Sequence, residues 1–113
     1  MNLITWPDHL AAAITICDEN GIIIYMNEKS KATFAKDGGG ALIGASLFDC
    51  HPEPSRTKLK NLFNSRQPNA YTIEKDGVKK MIYQAPRFEG EKFKGLVEFS
   101  MEIPFELRHF VRK

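Results

Sequence analysis

Residues 14–27 read ITICDENGIIIYMN, two short apolar runs separated by an acidic link that ends in glycine, and the rest of the chain is organised around them. In the first run Ile14 and Ile16 alternate with Thr15. The second, Ile22 to Asn27, is β-branched and aromatic. Both compositions suit a pleated, half-buried strand. The link Asp18-Glu19-Asn20-Gly21 closes on Asn-Gly, residues that tolerate the positive φ of a tight reversal, so the two runs are expected to pair as an antiparallel hairpin.

Upstream, Thr5-Trp6-Pro7-Asp8 carries the marks of a helix start. Thr5 can accept from the first free amides, Pro7 suits the first turn, and Asp8 places negative charge at the positive end of the helix dipole. A short lead-in helix ending near Ala12 is expected. Downstream, Asn27 is placed to cap a short helix through Lys36, which Asp37-Gly38-Gly39-Gly40 terminates. Residues 41–50, ALIGASLFDC, have no clean period and are read as one or two helical turns around Gly44, with Leu42, Leu47 and Phe48 packed inward. Ser55 to Arg66 then places Leu59, Leu62 and Phe63 at i, i+3 and i+4, an amphipathic helix halted by Pro68.

Three more strands follow: Tyr71 to Lys75, Val78 to Phe88 after the two-residue Asp76-Gly77 turn, and Phe93 to Ile103 after a loop at Gly90. In the last, Val97, Phe99, Met101 and Ile103 share one face and Glu98, Ser100 and Glu102 the other, which implies an antiparallel sheet with one wet face. Two hairpins flanking a run of helices make an α+β pattern: a five-stranded antiparallel sheet with short helices on one side.

A chain of 113 residues supports one core. Sixteen Lys plus Arg against 14 Asp plus Glu leave a net charge of +2, scattered too evenly to suggest a nucleic-acid partner. No apolar run is long enough to span a bilayer, so no membrane partner is expected. Cys17 and Cys50 have neither disulfide-framework nor metal-ligand spacing, which favours a reducing, cytoplasmic setting.

In its order of elements and local motifs the chain resembles the PAS family. The matching features are the lead-in helix, the ITICDENGIIIYMN hairpin, the Asn27-capped helix, Leu42-Ile43-Gly44 before ASLFD, the Asp76-Gly77 turn and the closing strand FKGLVEFSMEI. Cys50 to Ser55, CHPEPS, is similar to a Cys-His-Pro-x-x-Ser segment of a bacterial PAS subgroup. The chain departs from the family at Glu102-Ile103-Pro104, where an Asp-Ile-Thr step is common. The resemblance implies a PAS-like domain over residues 1–104, with residues 105–113 beginning a linker or dimerisation helix in which Leu107, Phe110 and Val111 fall at helical spacing. It also implies a non-catalytic sensory domain that binds a small-molecule ligand in an internal apolar pocket and relays its state through a homodimer or an effector domain or protein.

The candidate ligand-binding residues are Phe34, Phe48, Cys50, His51, Leu59, Phe63, Tyr83, Phe99 and Met101. The apolar ones serve equally as plain core, since such a pocket is a gap in the core. Tyr83 adds a hydroxyl that seeks a partner. In haem-binding members of the family a histidine on the longest helix ligates iron, which makes His51 a candidate axial ligand; the alternative is that its ring hydrogen-bonds nearby backbone and orders the loop. Cys50 reads as a redox thiol or, preferably, a buried structural cysteine. Flavin is disfavoured because Asp49-Cys50-His51 does not match the Asn-Cys-Arg of flavin-binding members. Lys58, Lys60, Lys79 and Lys80 read as a solvated face. No GxSxG, HExxH or phosphate-binding loop is present, and Asp49 is the only carboxylate expected near the cavity, so an enzyme is not expected. A pure dimerisation module with a filled core is the remaining alternative.

Overall fold

The computed structural model describes residues 4–113. Its five strands are β1 (Ala13–Cys17), β2 (Ile23–Met26), β3 (Asn69–Lys75), β4 (Val78–Glu89) and β5 (Lys92–Ile103). They form one antiparallel sheet in the order β2-β1-β5-β4-β3. Between β2 and β3 lie α1 (Glu28–Thr33), two 3-10 turns (Ala35–Asp37 and Gly39–Leu42), α2 (Leu47–Cys50) and α3 (Ser55–Ser65). This is the α+β architecture that the hairpins and the helical period imply.

Local chemistry accounts for most boundaries. The first hairpin turns on Asp18, whose Oδ1 accepts from the amides of Asn20 (2.9 Å) and Ile22 (3.0 Å), while its carbonyl accepts from Gly21 N. Of the Asn-Gly pair only Gly21 takes positive φ, +80°. The second hairpin uses both turn residues, Asp76 at φ 53° and Gly77 at φ 78°, the geometry that matches strand twist. α3 ends at Ser65, three residues before Pro68, and its cap Arg66 enters the left-handed region at φ 54°.

Asn27 does more than cap α1. Its Oδ1 accepts from Ser30 N (3.0 Å) and from Ile14 N across the hairpin (2.9 Å). Its Nδ2 donates to Pro7 O (2.9 Å) and Ala12 O (2.8 Å). A side-chain amide offers about four such bonds, so this one is fully used, and it is only 1% exposed. One residue ties the lead-in segment, β1 and α1 together.

Two expected helices are different in the structure. The lead-in helix is a single 3-10 turn, Trp6–His9, in which the Thr5 side chain makes no cap bond. Residues 104–113 hold no helix. A segment that short is marginal without packing, and Phe110 (61% exposed) and Val111 (83%) have none to offer it.

Alternation along β5 gives the row Val97, Phe99, Met101 and Ile103, but the orientation of the rows is the reverse of a sheet with its wet face outward. Glu98 and Ser100 face the helical flank, together with Gln84 and Ile82 of β4. Phe99 and Met101, opposite Tyr83 and Met81, lie on the far side. Sequence alternation fixes which residues share a face; the helices choose the face.

Candidate functional site

Between β1, β2, β5 and the helical flank lies a cavity of about 450 Å³. Its apolar wall comes from Ile23 and Met26 of β2, Leu96 of β5, Leu42 and Leu47 of the segment before α3, Phe34 after α1, and Leu59 of α3. Thr15, Asp37, His51, Gln84 and Glu98 supply its polar groups. A wider groove of about 1060 Å³ adjoins it between α3 and β3–β4 and shares Phe34, Asp37, His51, Leu59, Gln84 and Glu98 with it. Lys58, Lys75 and Lys80 line only the groove.

The polar groups are held in specific orientations. Gln84 pairs with Glu98 across β4–β5 and with Asn69 across β3–β4. Its Oε1 accepts from Asn69 Nδ2 (3.0 Å) and its Nε2 donates to Glu98 Oε2 (2.7 Å), so flipping the amide would lose both bonds. The Thr15 and Ser30 hydroxyls are 2.5 Å apart. Burial, and then the Glu98 charge, hold the Tyr71 phenol in the groove above its ordinary range.

His51 follows α2, and its Nδ1 lies 2.7 Å from Leu47 O. A carbonyl only accepts, so Nδ1 carries the hydrogen and, in the neutral ring, Nε2 is left as an acceptor. From the other side Arg56 Nε donates to the carbonyls of Phe48 (2.9 Å) and His51 (3.1 Å), which fixes the Cys50–Ser55 segment against α3. The loop-ordering reading of His51 is therefore realised, and the ring also faces the cavity.

The nine candidate residues divide into three groups. Phe34, Cys50, His51 and Leu59 line the cavity. Phe48 and Phe63 instead form an aromatic chain with Phe93 and Phe88, with centroids 5.2, 5.8 and 6.0 Å apart, which fastens α2 and α3 to the β4–β5 turn. Arg66 caps the chain 4.5 Å above Phe93. Tyr83, Phe99 and Met101 lie on the far face of the sheet, away from the cavity, because the rows of β4 and β5 are turned over. Cys50 is exposed rather than buried; Cys17 is buried, and burial raises its thiol pKa.

Thr15, Gln84 and Glu98 were hidden by the same inversion, and Asp37 by its place at the glycine connector. Asp49 is not the cavity's carboxylate; Asp37 and Glu98 are. Among the described residues no cluster of three or more His, Cys, Asp and Glu could hold a metal ion, and no helix is long and apolar enough to cross a membrane.

A family model described as the PAS fold matches residues 8–65. Among solved structures, the C-terminal domain of a Streptococcus mutans protein superposes with a TM-score of 0.70 at 20% identity, over 86% of this chain and 79% of that one. The PAS domain of Bordetella pertussis BvgS gives 0.64 at 17% identity, over 88% and 82%. The Aer2 receptor of Vibrio cholerae, described as a dual PAS-heme oxygen sensor, gives 0.62 at 18%, over 82% and 95%. No curated protein matches the sequence.

Proposed function

The chain belongs to the PAS family, and we propose that it is a non-catalytic sensory domain whose internal cavity binds a small molecule and whose occupancy biases contacts with a second copy or an effector domain. The observation that carries this reading is the cavity of about 450 Å³ between sheet and helical flank, within the size range of small-molecule sites. Its walls are apolar, with a few oriented polar groups, the composition that fixes a ligand's pose. Occupancy transmits a signal only if the ligand favours one arrangement of the domain over another. The far face of the sheet, with Tyr83 39% exposed beside half-buried Phe99 and Met101, gives a partner an apolar surface to dock on. Free thiols at Cys17 and Cys50 suit a reducing cytoplasm.

Native mass spectrometry of freshly purified protein tests the reading. A retained small molecule, lost when Leu59→Trp fills the cavity, supports it. A bare dimer in both proteins supports a pure interaction module instead.

One observation favours a second reading, haem held through His51. The Leu47 carbonyl fixes the Nδ1–H tautomer, as second-shell acceptors do for metal-binding imidazoles, and leaves Nε2 free. Against it, the cavity lining brings Asp37 and Glu98, and no Lys or Arg, to the carboxylates that haem carries. A visible haem band in the purified protein that disappears in His51→Ala would establish haem; a colourless protein that gains no band with added haemin would end the idea.

A further inference from the structure

The cavity walls sort ligands by charge. The charged groups there, Asp37 and Glu98, both have acceptor capacity left over. Glu98 uses Oε2 to receive Gln84, while Oε1 receives no hydrogen bond from the described residues. Gln84 accepts from Asn69 and gives one N–H to Glu98, and its amide is also hydrogen-bonded with the Tyr71 phenol. The Asp37 carboxylate takes no hydrogen bond from the described residues. His51 has its Nδ1 donor spent on Leu47 O, and in that tautomer Nε2 is an acceptor. The Thr15 and Ser30 hydroxyls bond to each other, which leaves one neutral O–H between them for a ligand.

No Lys or Arg lines the cavity to balance the two carboxylates. An anion bound there would be desolvated beside like charge, which is costly. A neutral hydroxyl would satisfy one acceptor. An ammonium group would satisfy two or three with charge-assisted bonds, and Phe34 in the lining adds a surface that attracts cations. Ile23, Met26, Leu42, Leu47 and Leu59 would receive the hydrocarbon part.

We propose that the cavity takes a small organic cation, an apolar body carrying a primary or secondary ammonium group that donates to Glu98 and to the free nitrogen of His51. This rests on the cavity being a ligand site, and it adds the ligand's chemical class. The lysines of the adjoining groove, Lys58, Lys75 and Lys80, could attract an anion to the outside of the site, so the test compares charges on one skeleton.

Isothermal titration of the protein with phenethylammonium, 2-phenylethanol and 3-phenylpropanoate at matched ionic strength makes the comparison. The expected order is ammonium, alcohol, carboxylate, with at least about tenfold between the first and last, the scale of one charge-assisted bond. Glu98→Gln should weaken the ammonium about tenfold and leave the alcohol within about twofold, because only the charged bond is removed. Asp37→Asn, at an exposed position where folding is not at stake, should weaken the ammonium in the same sense. If the alcohol binds and the ammonium binds no tighter, or if the carboxylate binds best, the cation assignment is wrong while the cavity reading stands. If none of the three binds, both fail.

Discussion

Around Asn27 the molecule is closed: buried polar atoms are paired, and Ala13, Ile14, Cys17, Ile23 and Met26 of the first hairpin are each less than 5% exposed. Across the sheet, where α3 faces β3 and β4, the chain is open. Every residue of β3 is exposed, Tyr71 by 44% and Ile73 by 41%, and no residue of α3 is buried. Among the described residues only Ile82 and Leu96 extend the buried apolar core beyond the first hairpin. The cavity lies on the seam between the two regions, with one wall from each. The closed half contributes Thr15, Ile23 and Met26. Gln84 is tied to Asn69 of β3 and the His51 segment to α3, so these polar groups ride on the open side, where a response to ligand is expected when stability is unevenly distributed. If this contrast is real, equivalent changes should cost far more on the closed side.

The largest cost should come from Asn27→Ala. It leaves the amides of Ile14 and Ser30 and the carbonyls of Pro7 and Ala12 without the bonds they now make. Lost capping plus several orphaned groups should destabilise by about 4 kcal/mol in chemical denaturation. A loss under about 1 kcal/mol would mean that water or neighbouring groups replace the amide, and that the corner is not closed.

Gly95→Ala should come next. Gly95 sits in β5 at φ +121°, and a Cβ there would lie 2.1 Å from Cys17 O and 2.7 Å from Asp18 O. Both atoms are backbone at the end of β1, so strand or turn must shift. Backbone strain and displacement together should cost about 3 kcal/mol. If the protein tolerates alanine, the turn after β1 is more pliable than the packing implies.

The sharpest version of the comparison uses one residue type on each side. Ile23, 4% exposed, and Ile73, 41% exposed, both face the helical side. Ile23→Ala should cost about 3 kcal/mol, as for a buried isoleucine, and Ile73→Ala under about 1 kcal/mol. Equal losses would show that α3 closes over β3 in solution. Leu59→Ala, at the seam, should fall between them.

How much of this was legible in the sequence follows the same divide. Both hairpins could be read because their information is local: Asp18 to Gly21 and Asp76-Gly77 carry their own turn chemistry. The second turn also sets the register. Pairing Lys75 with Val78 places Asn69 opposite Gln84 by counting back along the strands, which is what the structure has. The next pairing, Gln84 with Glu98, depends on the irregularity between Arg87 and Phe88, which no residue pattern announces. The direction of the β5 rows was likewise out of reach, because it depends on where the helices pack. Phe99 and Met101 were accordingly placed in the pocket and Glu98 outside it. Asn27 was recognisable as a cap, but its bonds to Ile14, Pro7 and Ala12 span 13, 20 and 15 residues and are set by tertiary structure.

The smallest effect separates the two ties that hold the lead-in turn to the closed corner. Besides the bond from Asn27 to Pro7 O, the Tyr25 hydroxyl donates to Asp8 Oδ1 at 2.6 Å. Desolvation first, and then the Asp8 carboxylate, push the Tyr25 phenol up to about 12. An unfolded tyrosine titrates near ~10, so folding favours the neutral phenol; its contribution is complete below about pH 10 and is lost as pH rises from about 10 to about 12. Tyr25→Phe should therefore cost only about 0.5–1 kcal/mol at neutral pH, since the site is partly solvated, and should make the alkaline fall in stability shallower over that window. Thermal melts of the two proteins at pH 7 and pH 11 read both effects. If Tyr25→Phe proved as costly as Asn27→Ala, the closed corner would owe its stability to the docking of the lead-in turn. A small loss leaves Asn27 as the residue that closes it.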